Sequence, residues 1–193
     1  MDLSRAVLLI IDVQKAIDAA YQAKDGPRNN VDAEARIARL LAAWRSAGRD
    51  IIHIRHDSTF AASAYRPGQP GNDFKDEVAP MPGEAVIAKQ TNSALIGTEL
   101  EAKLRAMGKP PIVVTGARTN NSVEATVRMA GNLGFPTVLV SDACFTFAQR
   151  DFDGRVRSAE EVQAMSLANL DGEYTTVLDT AAVLKALPAV ADR

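Results

Sequence analysis

The sequence predicts an α/β protein built around an open, six-stranded parallel β-sheet. Apolar runs of five to eight residues alternate with amphipathic segments, no internal repeat is present, and no linker-like segment divides the 193 residues. Alternating strands and helices favour a parallel sheet with right-handed crossovers. A chain of this length can bury one full core, so we expect a single domain over residues 1–193.

The strands are predicted from short runs that are mostly apolar. The first, AVLLII at residues 6–11, is typical of a strand that is buried on both faces. The segment 63–74 is rich in Pro, Gly and polar residues, which predicts a long loop of a kind that is often functional. The other five predicted strands are residues 50–56, 84–89, 111–116, 136–143 and 175–179.

The helices are predicted from apolar residues at helical spacing and from their capping signals. In the first helix, residues 31–47, Ile37, Leu41 and Trp44 fall on one face, and Gly48 ends it. The other predicted helices are residues 99–108 with Thr98 as cap, residues 122–134, residues 158–170 with a capping box of Ser158 and Glu161, and residues 180–187.

Composition excludes several classes of function. The net charge is −2 without a basic stripe, so nucleic acid is not an expected partner. No apolar run approaches the roughly 20 residues of a membrane span, and no signal peptide is evident, so a membrane is not expected either. A single cysteine, Cys144, makes no internal disulfide, which fits a cytoplasmic location.

Polar residues stand at the carboxyl ends of three predicted strands. Asp12 follows the first strand, Lys89 closes the third, and Ser122 follows the fourth at the opening of a helix. Open parallel sheets bind ligands at this edge, so a carboxylate, an ammonium and a hydroxyl could share one pocket. Each residue also has a structural explanation: Asp12 as a turn former, Lys89 as a solvated charge, and Ser122 as a helix cap.

The ordered set of motifs is more specific than any one residue. LLIIDVQ, VIAKQTNSALIGTEL and VVTGARTNNSVEATVRMAGNLGF together resemble the isochorismatase-like superfamily, also called the cysteine hydrolases. The resemblance covers residues 6–187 and implies a three-layer α/β/α, Rossmann-like hydrolase fold. It also implies a catalytic triad of Asp12, Lys89 and a cysteine, whose position is occupied here by Ser122. Cys144 does not match that position and is expected to pack as a small buried hydrophobe.

The resemblance also implies how the nucleophile turn is built. A cis peptide bond is expected between Ala117 and Arg118, and the backbone N–H groups of Arg118 and Ser122 are expected to form an oxyanion hole. Tyr65 and its loop could cover the pocket or reach a neighbouring subunit. The candidate substrate-binding residues are Gln14, Asn92, Arg118, Asn121 and Phe147.

No metal or other cofactor is expected. Some relatives in this superfamily hold a metal with an Asp and several His, but this chain has only His53 and His56. Residues three apart on a strand point to opposite faces, so the two imidazoles are not expected to converge. Hydrogen bonding within the core is the simpler expectation for them.

Four interpretations of Ser122 stay open at this stage. Ser122 could be the nucleophile of a small-amide or ureide hydrolase, although a hydroxyl is much weaker than a thiol and needs a strong positioned base. Asp12 could instead protonate a vinyl ether, as in isochorismatases, with no nucleophile. The serine could replace a natural cysteine by engineering. The chain could also be an inactive ligand-binding or structural oligomer.

The resemblance implies a homodimer or homotetramer with a small-molecule substrate.

Overall fold

The computed structural model describes residues 1–188; the last five residues of the predicted domain lie outside the described part. Six strands form one parallel sheet, as predicted, in the order β3-β2-β1-β4-β5-β8. Their bounds are β1 Val7–Ile11, β2 Ile51–His56, β3 Ala85–Lys89, β4 Ile112–Ala117, β5 Thr137–Phe145 and β8 Thr176–Leu178. Because the chain runs outward from β1 to β3 and then restarts at β4, the strand order reverses between β1 and β4, where such sheets bind ligands.

Helices cover both faces of the sheet and give the predicted three layers. On one face, Leu100 and Leu104 of α2 and Val127 of α3 pack against alternate residues of β1 and β4. On the other face, Leu40 and Trp44 of α1 join Val183 of α5 over the remaining residues of those strands. The helices are α1 Ala33–Ser46, α2 Leu100–Ala106, α3 Glu124–Asn132, α4 Ala159–Ala168 and α5 Thr180–Ala186.

The predicted helix start at Ser122 is wrong in detail. Residues Thr119–Val123 form a π-helical turn, and α3 begins only at Glu124. No side-chain cap is present at either start, so the interpretation of Ser122 as a capping serine is also wrong. The capping box of Ser158 and Glu161 at the start of α4 is confirmed.

The fifth strand is longer than predicted. β5 continues to Phe145 across a register shift against β4, so Cys144 lies inside this strand and not after it. The extension consists of Cys144 and Phe145, which pair with Gly116 and Ala117 of β4 beyond that shift. Two short strands, β6 Gln149–Arg150 and β7 Val156–Arg157, form an antiparallel hairpin beside the main sheet that the sequence patterns did not predict.

The strands β1 and β4 approach each other closely at the ligand-binding edge. Gly116 pairs with Ile11 and has a φ of 123°, a conformation that favours glycine. A Cβ at position 116 would overlap backbone atoms of Ile11. The turns that carry Asp12 and Ser122 therefore start from neighbouring main chains. In the described part of the chain, no helix has both the length and the apolar character to cross a membrane.

Candidate active site

Three buried side chains meet at the carboxyl edge of the sheet. Lys89 Nζ donates to Asp12 Oδ2 at 2.7 Å and to Ser122 Oγ at 3.2 Å. These residues come from β3, from the turn after β1 and from the turn after β4. Between 1% and 6% of each residue is exposed, so the charges lie almost entirely out of bulk water. A carboxylate, an ammonium and a hydroxyl thus share one hydrogen-bonded group.

Asp12 is held in an unusual backbone conformation and has spare hydrogen-bonding capacity. Its φ of 53° lies in the left-handed region, where Asp and Asn are the most tolerated residues after glycine. Oδ1 is buried without a hydrogen-bond partner among residues 1–188. Burial raises the pKa of the carboxyl, while Lys89 and the Ser122 hydroxyl act in the opposite direction. Asp12 is therefore closer to exchanging a proton near neutral pH than an exposed aspartate is.

The Lys89 ammonium is the centre of this group. Besides Asp12 and Ser122, its Nζ lies 3.1 Å from the carbonyl oxygen of Thr91 and 3.4 Å from Nδ1 of His56. An ammonium has three hydrogens, so four acceptors compete for three donors. The shortest contact, to Asp12, is the charge-assisted one.

The turn that carries Ser122 is fixed by its own backbone. The peptide bond between Ala117 and Arg118 is cis, at the position that the resemblance implies. The N–H groups of Asn121 and Val123 both donate to the Arg118 carbonyl, at 3.0 and 3.3 Å. Thr126 Oγ1 donates to the Ser122 carbonyl at 2.7 Å. The Ser122 hydroxyl does not cap α3 and instead accepts a hydrogen bond from Lys89.

A pocket of about 140 Å³ opens above these residues. Of the candidate substrate-binding residues, Asn92, Arg118 and Asn121 line it. Its other lining residues are Asp12, Ile17, Gln22, His56, Tyr65, Ala117 and Ser122. This volume is well below the roughly 300–1,000 Å³ of drug-sized ligand sites, so the pocket favours a compact substrate.

Two candidate substrate-binding residues lie outside the pocket lining. The buried amide of Gln14 is used by backbone groups: it accepts from the His56 N–H at 2.8 Å and donates to the carbonyls of His56 and Asn72. Gln14 therefore orients the turn that carries Asp12. Phe147 is buried, and the Arg118 guanidinium lies 5.7 Å from its ring centroid. Phe147 therefore contacts Arg118 through a cation–π interaction and not the pocket itself.

Arg118 brings a positive charge to the pocket wall. The contacts of its Nη atoms are the amide oxygens of Gln22 at 3.5 Å and Gln149 at 3.3 Å, which are neutral and long. Its Nε is buried without a partner in the described part of the chain. The guanidinium thus retains capacity for an anionic or carbonyl ligand.

His56 and Tyr65 line the pocket, and the sequence reasoning did not select His56 as a site residue. His56 closes β2, as Lys89 closes β3, so the strand-end rule that selected Lys89 applies to it equally. The two residues are direct neighbours in the β2–β3 register. The carboxyl end of a strand thus indicates a pocket position for His56 as well as for Lys89.

His53 and Cys144 have no place in the pocket. His53 Nε2 lies 2.9 Å from Glu84 Oε2 on the far side of β2, and burial lowers the pKa of its imidazole. Across residues 1–188, no three His, Cys, Asp or Glu side chains are grouped to hold a metal ion. Cys144 is fully buried in the core, and burial raises the pKa of its thiol far above the usual range.

Comparison with known proteins agrees with this architecture. Residues 6–182 match the model of the isochorismatase domain. The chain belongs to the isochorismatase family. It is 42% identical to the isochorismatase family protein YrdC of Bacillus subtilis over 176 residues, which cover 91% of this chain and 92% of YrdC.

Other family members extend the comparison to solved structures and to a named enzyme. A crystal structure assigned to this family from Chromobacterium violaceum superposes with a TM-score of 0.91 at 60% identity, covering 95% of this chain and 93% of that one. Streptothricin hydrolase of Streptomyces noursei is 33% identical, and the match covers 95% of this chain and 66% of that enzyme. The isochorismatase family thus includes hydrolases with most of their length in common with this chain.

Proposed function

We propose that this protein hydrolyses a small amide or ureide-type substrate with Asp12, Lys89 and Ser122 as its catalytic residues. The observation that carries the proposal is the Lys89 ammonium, which holds the Asp12 carboxylate and the Ser122 hydroxyl together at the pocket floor. The similarity to streptothricin hydrolase supports a hydrolytic reaction.

In this mechanism, Ser122 Oγ attacks the substrate carbonyl carbon while its proton passes to Asp12. The raised pKa of Asp12 makes it a better proton acceptor than an ordinary carboxylate. Lys89 offsets the negative charge that develops, and the N–H groups of Arg118 and Ser122 are the proposed oxyanion hole. Collapse of the tetrahedral intermediate breaks the C–N bond, and the leaving amine takes the proton from Asp12. Water then attacks the acyl ester and gives its proton to Asp12, and Ser122 Oγ takes that proton when the acyl C–O bond breaks.

The pocket limits the substrate by size and charge. A volume of about 140 Å³ favours a compact substrate. Within residues 1–188, the hydrogen bonds of Arg118 are long and go to neutral oxygens, so a substrate carboxylate is a suitable partner for its guanidinium. We therefore favour a short amide or ureide that carries a carboxylate.

A second candidate function is vinyl-ether hydrolysis, which the state of Asp12 favours. In that reaction, a protonated Asp12 donates its proton to the enol carbon and water adds to the resulting oxocarbenium ion. The raised pKa and the unpartnered Oδ1 of Asp12 suit a general acid. The small pocket favours the first candidate, because isochorismate carries a ring and two carboxylates.

A panel of small amides, ureides and enol ethers, assayed with matched variants, tests both candidates. Ser122→Ala abolishes turnover if Ser122 is the nucleophile and leaves it nearly intact if Asp12 is a general acid. Ser122→Cys keeps or raises amide hydrolysis in the first case, because a thiol is the better nucleophile. Asp12→Asn abolishes turnover in both. Full activity of Asp12→Asn would refute both mechanisms, and binding without turnover by the wild type would favour an inactive binding protein.

We also propose a homodimer or homotetramer in the cytoplasm. The resemblance to the family supports the oligomer, and a single cysteine supports the compartment. Light scattering of the purified protein measures the first, and a monomer at all concentrations would contradict it. Fractionation of cells that express the full chain measures the second.

A further inference from the structure

His56 is the one titratable imidazole of the pocket in residues 1–188, and the mechanism above does not use it. It closes β2 between the strands that carry Asp12 and Lys89. Three adjacent strands therefore end in, or are followed directly by, an ionisable residue at the same edge of the sheet. The question is what the imidazole does there.

The backbone of His56 is fixed on both sides. Its N–H donates to Gln14 Oε1 at 2.8 Å, and its carbonyl accepts from Gln14 Nε2 and from Asn72 Nδ2, both at 3.1 Å. Gln14 and Asn72 are themselves buried. The Tyr65 ring meets the imidazole edge to face, with 5.7 Å between centroids. The main chain that carries the imidazole is thus fixed, and Tyr65 packs against the ring.

The neighbouring ammonium decides the tautomer of the ring. Nδ1 of His56 lies 3.4 Å from Lys89 Nζ. An ammonium can only donate, and an N–H on Nδ1 would point at its hydrogens even when these go to the three nearer acceptors. The imidazole proton therefore resides on Nε2. Residues 1–188 supply no hydrogen-bond partner to Nε2, and His56 lines the pocket. The ring therefore offers an N–H donor to whatever fills the pocket.

The charges around the ring keep it neutral. Burial and the Lys89 ammonium lower the pKa of His56, whereas Asp12 and Asp57 oppose this shift. The phenol of Tyr65 is neutral, because burial raises its pKa. A second ring proton, on Nδ1, would make the imidazole a cation whose nitrogen lies 3.4 Å from Lys89 Nζ. The neutral donor form is thus the resting form at neutral pH.

We propose that His56 is a substrate-binding residue whose Nε2–H donates a hydrogen bond to a carbonyl or carboxylate oxygen of a small substrate. This deepens the proposed hydrolysis and rests on it. His56 and Arg118 together make the pocket walls rich in donors, so the substrate has to bring acceptor oxygens besides the one at the reacting carbonyl. A ureide or amide with a carboxylate meets that demand, and a purely apolar amide does not.

The tautomer can be measured without any substrate, because the chain has only two histidines. Protein with 15N-labelled histidine is examined by imidazole NMR at pH 7.5, and His56→Gln identifies the His56 signals by their loss. We expect a protonated Nε2 and an unprotonated Nδ1 for His56. A proton on Nδ1, or an imidazolium at this pH, would overturn the proposal whether or not the protein is a hydrolase.

Two variants test the contact itself with any compound of the panel that the wild type turns over. A glutamine amide reaches the place of Nε2, whereas an asparagine amide reaches only that of Nδ1. His56→Asn should raise KM about tenfold with little change in kcat, and His56→Gln should restore KM to within about threefold of wild type. Equal KM values for both variants would refute the contact. An inactive wild type would count against the proposed function, and the NMR result would still decide the tautomer on which this proposal depends.

Discussion

Removing the charges of Asp12 and Lys89 one at a time, and then together, measures how the protein tolerates this buried pair. At 2.7 Å, and with an effective dielectric constant of about 20, the attraction between the charges is about 6 kcal/mol. Taking two ions out of water costs several kcal/mol each, so the pair as a whole adds little to stability. Loss of one partner leaves the other charge buried without compensation.

We expect unequal effects from the three variants. Lys89→Met should lower the free energy of unfolding by about 3–5 kcal/mol. Asp12→Asn should cost about 2–4 kcal/mol, because asparagine tolerates the left-handed backbone and its oxygen still accepts a bond from Lys89. The double variant should lie within about 1–2 kcal/mol of wild type. The double variant should thus lose at least about 3 kcal/mol less than the sum of the two single losses, and this difference is the coupling energy.

Urea unfolding provides the assay, followed by the fluorescence of the single, fully buried Trp44 at one protein concentration. For a chain of this size, each kcal/mol also shifts Tm by about 2–4 °C. The exposed pair Glu101 and Arg105 is the matched control, for which coupling below about 0.5 kcal/mol is expected. Additive effects of Asp12→Asn and Lys89→Met would refute the reasoning, because they would mean that neither charge depends on the other.

Three further predictions concern the framework of the site. The pKa values of His53 and His56 are lowered in the folded state, so the unfolded chain binds more protons below about pH 6.5. The free energy of unfolding should therefore fall by up to about 1.4 kcal/mol per histidine between pH 7.5 and 5.5. An unchanged urea midpoint over this range would contradict the prediction. Gln14→Ala removes three hydrogen bonds and should cost about 3 kcal/mol in urea unfolding, while Gln69→Ala at an exposed position should have no effect. Gly116→Ala should destabilise by more than about 4 kcal/mol, because its Cβ meets the backbone of β1; a Tm within a few degrees of wild type would show that the strands can separate.

The sequence was most informative where one physical rule dominates. Strands buried on both faces have continuous apolar runs, so all six strands of the sheet were predicted to within a few residues. The extension of β5 was missed because contacts distant in sequence hold it. Asn30 donates to the carbonyl of Cys144, and Cys144 and Phe145 pair with Gly116 and Ala117 of β4 beyond the register shift. The hydrophobic pattern of a short segment does not show which distant residues will bond to it.

The same distinction applies to the pocket. Asp12, Lys89 and Ser122 were selected because strand ends in a parallel sheet lie at one edge, and this depends only on topology. The role of Gln14 depends on the carbonyls of His56 and Asn72, which lie 42 and 58 residues away in the sequence. Its position near Asp12 therefore could not show whether its amide binds substrate or holds the turn. The π-helical turn at 119–123 has no sequence signature of its own, and it directs the Ser122 hydroxyl toward Lys89.

The contact between Gly116 and Ile11 has a consequence for how this scaffold can change. Because main chain meets main chain there, the separation of the turns after β1 and β4 does not depend on the side chain at position 122. That side chain can be exchanged between hydroxyl, thiol and methyl while the frame around it keeps its dimensions. Side chains of different reactivity can then be compared at position 122 in a protein that keeps its fold.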